Sequence, residues 1–377
     1  MGKVKRALGA MSGTSMDGID IALVTTDGEG ILTRGPSETF AYSSDMRARL
    51  AAGLIDARSI GTNRNARPGS LAALEREITE LHAAAISAFR RKQKIGRADI
   101  DVVGFHGQTV LHRAPVGGAS GLTVQLGDGA LLADLTALDV VHDMRAADVA
   151  AGGQGAPMVP VYHAALAAHV PQRPLAFVNI GGLANVTLIG RGGELTAFDT
   201  GPGNALIDDW MGKRAGQAFD EGGATARRGR VDEDVLREYL SHAYFNELPP
   251  KSLDRNDFYG VHCDGLSLED GAATLSAFTA GSIARSREHM HEEPALWVIA
   301  GGGRKNATLM GMIAARVENA VVPAEALGLA GEALEAEAWG YLAVRSVYGL
   351  PLTFPGTTGV RAPTTGGVLA RAPRAAR

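Results

Sequence analysis

Met11-Ser12-Gly13-Thr14-Ser15-Met16-Asp17-Gly18-Ile19-Asp20 lies between two apolar, β-rich runs, residues 4–11 and 19–25. The runs read as strands and the polar, glycine-bearing stretch as the turn joining them. Gly13 and Gly18 let backbone N–H groups face an anion with no Cβ in the way. Ser12, Thr14 and Ser15 add hydroxyl donors. Asp17 and Asp20 are wrong for touching phosphate directly but suit Mg2+ or its waters. The same residues also make an ordinary polar hairpin turn. No G-x-x-x-x-G-K-[ST] pattern is present here, so the turn is not a P-loop.

Working outward, the next turn is Asp27-Gly28-Glu29-Gly30, and a third strand begins at residues 31–33. The same order returns about 170 residues later. Residues 175–180 read as a strand, Gly181-Gly182 as a turn, residues 183–189 as a strand, residues 190–193 as a turn and residues 195–198 as a third strand. Two such meanders predict a duplication: two related α/β domains facing each other across a cleft. The expected boundary lies within residues 143–157, giving domains 1–145 and 146–369 and a flexible tail at 370–377. Between the meanders, Leu71, Leu74, Ile78, Leu81, Ala85 and Phe89 keep helical spacing, which predicts an amphipathic helix over 70–91. Short strands are expected at 101–105, 123–126, 139–142 and 296–300, and a helix at 331–347.

Composition narrows the function classes. The chain has 377 residues and a net charge of −4, which predicts no nucleic-acid partner. Its single cysteine, Cys263, excludes an intrachain disulfide and fits a reducing cytoplasm. No run of 18 apolar residues exists and no signal-type segment follows the basic residues 1–6, so no membrane span is expected. Glycine is abundant, 49 residues, nearly twice the average share of about 7%. The glycines cluster beside apolar runs, where turns approach ligands.

Three further segments carry chemistry. Asn179-Ile180-Gly181-Gly182-Leu183-Ala184-Asn185 is the second-domain counterpart of the first turn, and a pair of such turns grips a triphosphate from two sides. Ile299-Ala300-Gly301-Gly302-Gly303-Arg304-Lys305-Asn306 runs from a strand through three glycines towards a helix, a shape for a nucleoside or for an anion at a helix N-terminus. In Phe198-Asp199-Thr200-Gly201-Pro202-Gly203-Asn204-Ala205, Asp199 ends a strand before a constrained turn. Near its reference pKa of about 3.9 it is ionised, a weak base until its nucleophile acidifies. Its bland role is capping the helix expected near Ala205, although Asn204 is better placed for that. His106, Gln108, Asp128 and Arg145 sit at first-domain strand ends, suited to sugar hydroxyls, an acetamido group or a carboxylate. Ala338, Tyr341 and Leu342 share the helical face of Glu335, which predicts that Glu335 is less solvated than Glu332 or Glu337.

These motifs resemble the anhydro-N-acetylmuramic acid kinase family. Residues 13–20 look like its ATP-binding stretch. Phe105-His106-Gly107-Gln108-Thr109, Gly152-Gly153-Gln154-Gly155-Ala156-Pro157, residues 179–185 and Asp199-Thr200-Gly201-Pro202-Gly203-Asn204 follow in family order over residues 8–369. The resemblance implies a two-domain actin/hexokinase/Hsp70-like ATPase fold, ATP with Mg2+, a cytoplasmic homodimer and a part in peptidoglycan recycling. It implies that 1,6-anhydro-N-acetylmuramic acid is opened by water and phosphorylated to N-acetylmuramic acid 6-phosphate. By position, Asp199 matches the catalytic base. Gly13, Thr14, Ser15, Met16, Asp17, Gly18, Ile19 and Asp20, with Gly181, Gly182, Asn185, Gly301, Gly302 and Gly303, form the expected nucleotide site. His106, Gln108, Arg145 and Glu335 form the expected substrate site. Glu337 stands where an apolar residue is expected, and Asp148 where basic residues are common. Two rival functions are a kinase of the same fold for another sugar or acid, and a nucleotide-gated binding protein without phosphotransfer. The Asp199 turn speaks against the second, because a binder needs no base.

Overall fold

The computed structural model describes residues 2–13, 15–115, 121–253, 258, 263–329 and 333–373. Among them the strands are β1 (Lys5–Ser12), β2 (Gly18–Thr26), β3 (Leu32–Ala41), β4 (Val102–Arg113), β5 (Leu122–Leu126), β6 (Val140–His142), β7 (Leu175–Ile180), β8 (Leu183–Ile189), β9 (Leu195–Pro202), β10 (Leu296–Ala300), β11 (Ala320–Pro323) and β12 (Val368–Ala370). One sheet has the order β12-β6-β4-β1-β2-β3, with β5 also paired to β4; the other has the order β11-β10-β7-β8-β9.

The two sheets are built alike. β1, β2 and β3 are antiparallel, and β4 then β6 add in parallel on the other side of β1. In the same way β7, β8 and β9 are antiparallel, and β10 then β11 add in parallel beyond β7. The duplication expected from residues 4–33 and 175–198 is therefore present as topology, the doubled α/β plan of the actin/hexokinase/Hsp70 type. Burial follows position in the sheet. The central strand β10, Leu-Trp-Val-Ile-Ala, is buried along its whole length, as a strand covered on both faces must be. The edge strand β3 has no buried residue.

The chain clusters into two compact units, Met1–Ala168 with Glu332–Arg377, and His169–Gly331. The expected division at 145/146 falls elsewhere for a physical reason. The helix Met144–Ala150 runs straight through it, and the C-terminal residues return to the first unit. The helix Leu334–Val347 packs on β1, β2 and β4. It can do so because Gly9 and Gly104 carry no side chain; a Cβ there would overlap the carbonyl oxygens of Ala336 and Trp339. β12 then pairs with β6. The expected tail is thus partly structure: Ala370 ends β12, Arg371 Nη1 donates to Asp139 at 2.7 Å, and the Ala372 N–H donates to the same carboxylate at 2.9 Å. Residues 374–377 lie outside the described ones.

In the first unit, Leu74, Ile78, Ile86 and Phe89 of the helix Leu71–Gln93 pack against Leu8, Ile21, Val103 and Phe105 of the sheet. Leu74, Ile78 and Phe89 belong to the apolar stripe that the sequence spacing predicts, and Ile86 joins it. In the second unit, Leu309, Ile313 and Val317 of the helix Ala307–Val317 pack against Val178, Ile180, Trp297 and Ile299. No described helix is long and apolar enough to cross a membrane.

Candidate active site

In the first unit the site grows from the end of β1. Ser12, fully buried, donates through Oγ to Gln108 Oε1 at 2.6 Å and accepts from the Tyr42 hydroxyl at 3.0 Å. Gln108 Nε2 donates to the Gly13 carbonyl at 3.0 Å. Gln108 is buried, and its amide holds the turn in place. Beyond Ser12, Ser15 Oγ donates to Asp17 Oδ1 at 2.8 Å, and the Asp17 carbonyl accepts the Tyr42 N–H at 2.9 Å. Asp20, on β2, accepts from the Thr39 hydroxyl of the facing strand. Burial raises the Asp20 carboxyl above the ordinary range, and the charge of Asp17 raises it further. Thr14 lies outside the described residues.

His106 is buried beside this turn. Its Nδ1 lies 2.8 Å from the Gly107 carbonyl and 3.1 Å from the Ser12 carbonyl. Two acceptors require a proton on Nδ1, so Nε2 is left to accept from Arg145, whose Nη2 is 3.3 Å away. Burial, then the Arg145 charge, pushes this imidazole down to about 3, so it is neutral at any working pH. Arg145 also donates to the Gly155 carbonyl at 2.8 Å and lies over the Trp339 ring at 5.1 Å. Trp339 meets the edge of His106 with ring centroids 4.7 Å apart. Glu335 stands one helical turn before Trp339. Its carboxyl is raised by desolvation and by Asp20 and Asp17, while Arg145 opposes the rise. Arg145, His106, Glu335, Asp17 and Asp20 thus form one electrostatic neighbourhood. Phe105, His106, Gln125, His142 and the Arg64–Asp143 ion pair line a polar cavity of about 130 Å³ beside it. Asp128 is not part of this group: it caps the helix Gly129–Thr136 by accepting the Leu131 N–H at 3.0 Å.

Of the carboxylates on the helix Leu334–Val347, Glu337 departs from the expectation: it is buried. Glu335 keeps solvent-accessible surface, although the protein around its carboxyl desolvates it; Glu332 lies outside the described residues. Glu337 occupies its apolar position because Arg34 reaches it with Nε and Nη2, both at 2.8 Å, and the Tyr162 hydroxyl donates to it at 2.6 Å. Asp148 is likewise explained locally. It accepts the Gly155 N–H and the Thr358 hydroxyl, each at 2.6 Å, and so shapes the glycine-rich segment that Arg145 touches.

In the second unit the two expected nucleotide segments meet the turn that follows Asp199. The Asn204 N–H donates to the Gly181 carbonyl and the Gly203 N–H to the Gly182 carbonyl, both at 2.8 Å. Gly301 follows β10, which pairs with β7, and adopts φ 74°. A Cβ there would be strained and would overlap the Ile180 carbonyl and the Asn179 side chain. Gly302 and Gly303 come against Asn204. The helix expected beyond the glycines is present: Gly302–Lys305 is a 3-10 turn, and Asn306 caps the helix Ala307–Val317 through the Leu309 N–H at 2.9 Å. Asn204 makes no side-chain cap; its Nδ2 donates to the Ile180 carbonyl.

Asp199 lies in the middle of β9, directly opposite Asn185, which in turn pairs with Asn179. Directly paired residues share a face of the sheet, so these three polar side chains form a row. Asp199 Oδ2 accepts the Leu253 N–H at 2.9 Å, and Oδ1 accepts no hydrogen bond among the described residues. Burial raises this carboxyl to about 6, and only the Leu253 N–H pulls it down. The expectation of an ordinary Asp pKa is therefore corrected by desolvation. A carboxylate with one oxygen fixed, one free and a pKa near neutrality is the equipment of a general base. Sequence reasoning missed Trp339, Lys251 and Leu253, and quoted Asn179 without giving it a role of its own. Trp339 carried a signal, since it lies four residues after Glu335; Leu253 acts through its backbone and carried none.

The doubled strand order, with a glycine turn closing the first hairpin of the second unit and a hydroxyl-rich turn at the corresponding place in the first, defines the actin/hexokinase/Hsp70 class of enzyme. A family profile described as anhydro-N-acetylmuramic acid kinase matches residues 5–372. The chain belongs to that family. An anhydro-N-acetylmuramic acid kinase of Agrobacterium fabrum is 50% identical, covering 99% of this chain and 100% of the relative. One of Brucella canis is 52% identical over 98% and 100%. Among solved structures, a ligand-bound xylulose kinase from Lactobacillus acidophilus aligns with a TM-score of 0.47 and 11% identity, covering 92% of this chain and 90% of that one.

Proposed function

We propose that this chain opens 1,6-anhydro-N-acetylmuramic acid with water and phosphorylates it with ATP, giving N-acetylmuramic acid 6-phosphate and ADP. Asp199 carries the proposal, because its free Oδ1 and raised pKa suit it to take a proton from water. Water bonds to the anomeric carbon as its proton passes to Asp199. The bond from that carbon to O6 breaks and leaves its electron pair on O6. O6 then attacks the γ-phosphorus, and the bond to ADP breaks. The glycine turns of the second unit bring backbone N–H groups to the phosphates, which is much of what phosphoryl transfer asks of a protein. Arg145, with Glu335 and His106, binds the sugar.

Asp17 and Asp20 fit a divalent cation: their mutual repulsion, which helps raise Asp20, is relieved by a positive charge. Held there through water, Mg2+ supplies neutralisation of phosphate charge. The same reading includes a cytoplasmic homodimer working in peptidoglycan recycling. The test is to incubate the chain with ATP, Mg2+ and the anhydro sugar and to weigh the product. A sugar heavier by one phosphate and one water supports the proposal. A phosphate without water makes the chain an ordinary sugar kinase, and bound ATP without any product makes it a binding protein.

A further inference from the structure

Asp199 is held in a closed ring of hydrogen bonds. Its N–H donates to the Lys251 carbonyl at 3.1 Å. Its own carbonyl accepts the Tyr244 hydroxyl. The Tyr244 carbonyl accepts Lys251 Nζ at 3.0 Å. Lys251 thereby returns to the residue it started from. Lys251 is 6% exposed, its Nζ lies 4.6 Å from the Tyr244 ring centre, and it makes no ion pair among the described residues. Nζ also lies 3.2 Å from His289 Nε2. A buried amine without an ion-pair partner is costly, and its pKa is pushed down to about 8 by that burial. An apolar side chain would fill the same space without that cost, so the amine has a task other than packing.

The task follows from what hangs on it. Residues 251–253 form no regular structure. Among the described residues, their backbone meets β9 through two bonds, Asp199 N–H to Lys251 and Leu253 N–H to Asp199 Oδ2. The Lys251 amine fastens this segment to the turn Ala243–Asn246. We infer that Lys251 and Tyr244 are positioning residues for Asp199, holding the Leu253 N–H on Oδ2 so that Oδ1 is presented in one orientation. The inference rests on Asp199 being the base.

Full-length Lys251→Met and Tyr244→Phe test it through the pH dependence of kcat and through KM for ATP. Release of the Leu253 N–H removes a bond that favours the ionised carboxylate, so the acid limb of kcat moves up by about one pH unit. That shift lowers turnover about tenfold below pH 6 and about twofold at pH 7, while KM for ATP stays within about twofold. Lys251→Arg returns the limb part of the way. An acid limb that stays in place in both variants overturns the inference, whether or not kcat falls, since loss of packing alone scales the profile without shifting it. If Lys251→Met does not fold, Tyr244→Phe, which removes one hydroxyl, decides alone. Wild-type turnover in Asp199→Asn is a different failure: it removes the base assignment itself.

Discussion

Asp199 changes charge inside the pH range where kinetics are measured, because burial holds its carboxyl near 6. Turnover is therefore expected to rise with pH through about 6 and to level off above it. Asp199→Asn should bind ATP and lose about 10²–10⁴ in kcat. Its stability should move the other way. The folded-state pKa is above the unfolded value of about 3.9, so the native state holds a proton that the unfolded chain has released between about pH 4 and 6. That contribution is lost as pH rises through 6. The Asn variant escapes the loss and should be more stable by about 1–2 kcal/mol at pH 7.5, with the gain shrinking towards pH 4.5. Equal denaturation midpoints at pH 7.5 would contradict this. At this scale the candidate base is legible in the sequence, as an Asp before Thr-Gly-Pro-Gly. Its pKa was not, because that depends on what buries it. The clamp at residues 251–253 was not legible either, because a backbone N–H leaves no mark in a sequence.

The helix Leu334–Val347 shows how an element can be right in outline and differ at one residue. Its span was legible from spacing, but the burial of Glu337 was not, because the partners of Glu337 are Arg34 and Tyr162, distant in sequence. Removing one partner of a buried ion pair typically costs about 3–5 kcal/mol, while replacing both with apolar groups costs little. Glu337→Leu is expected to destabilise by about 3 kcal/mol, and Arg34→Leu with Glu337→Leu to recover much of it. Additive losses in a double-mutant cycle would show that the pair is not coupled. The hairpins were legible more fully, because glycine turns between apolar runs are local signals. The close seat of the helix on Gly9 and Gly104 is a non-local fit, and no local signal announces it.

At the scale of the whole chain, the second unit is an insertion: the chain leaves the first unit after Ala168 and returns to it at Glu332. A boundary at 145/146 therefore cuts through one unit and assigns its last helix to the other. The fragment 169–331 contains a complete sheet and its covering helices, and should unfold cooperatively when expressed alone. The fragment 1–145 lacks the helix Leu334–Val347 that covers β1, β2 and β4, and should not. Cooperative unfolding of 1–145, read by thermal melt and amide protection, would contradict the division.

The most direct test of the proposed reaction is to run it in heavy-oxygen water with ATP, Mg2+ and 1,6-anhydro-N-acetylmuramic acid. Opening by water, with O6 as the phosphate acceptor, predicts a product with one added phosphate and one heavy oxygen, on the anomeric carbon. A phosphorylated sugar with its anhydro bridge intact, or an opened sugar without heavy oxygen at that carbon, would contradict it.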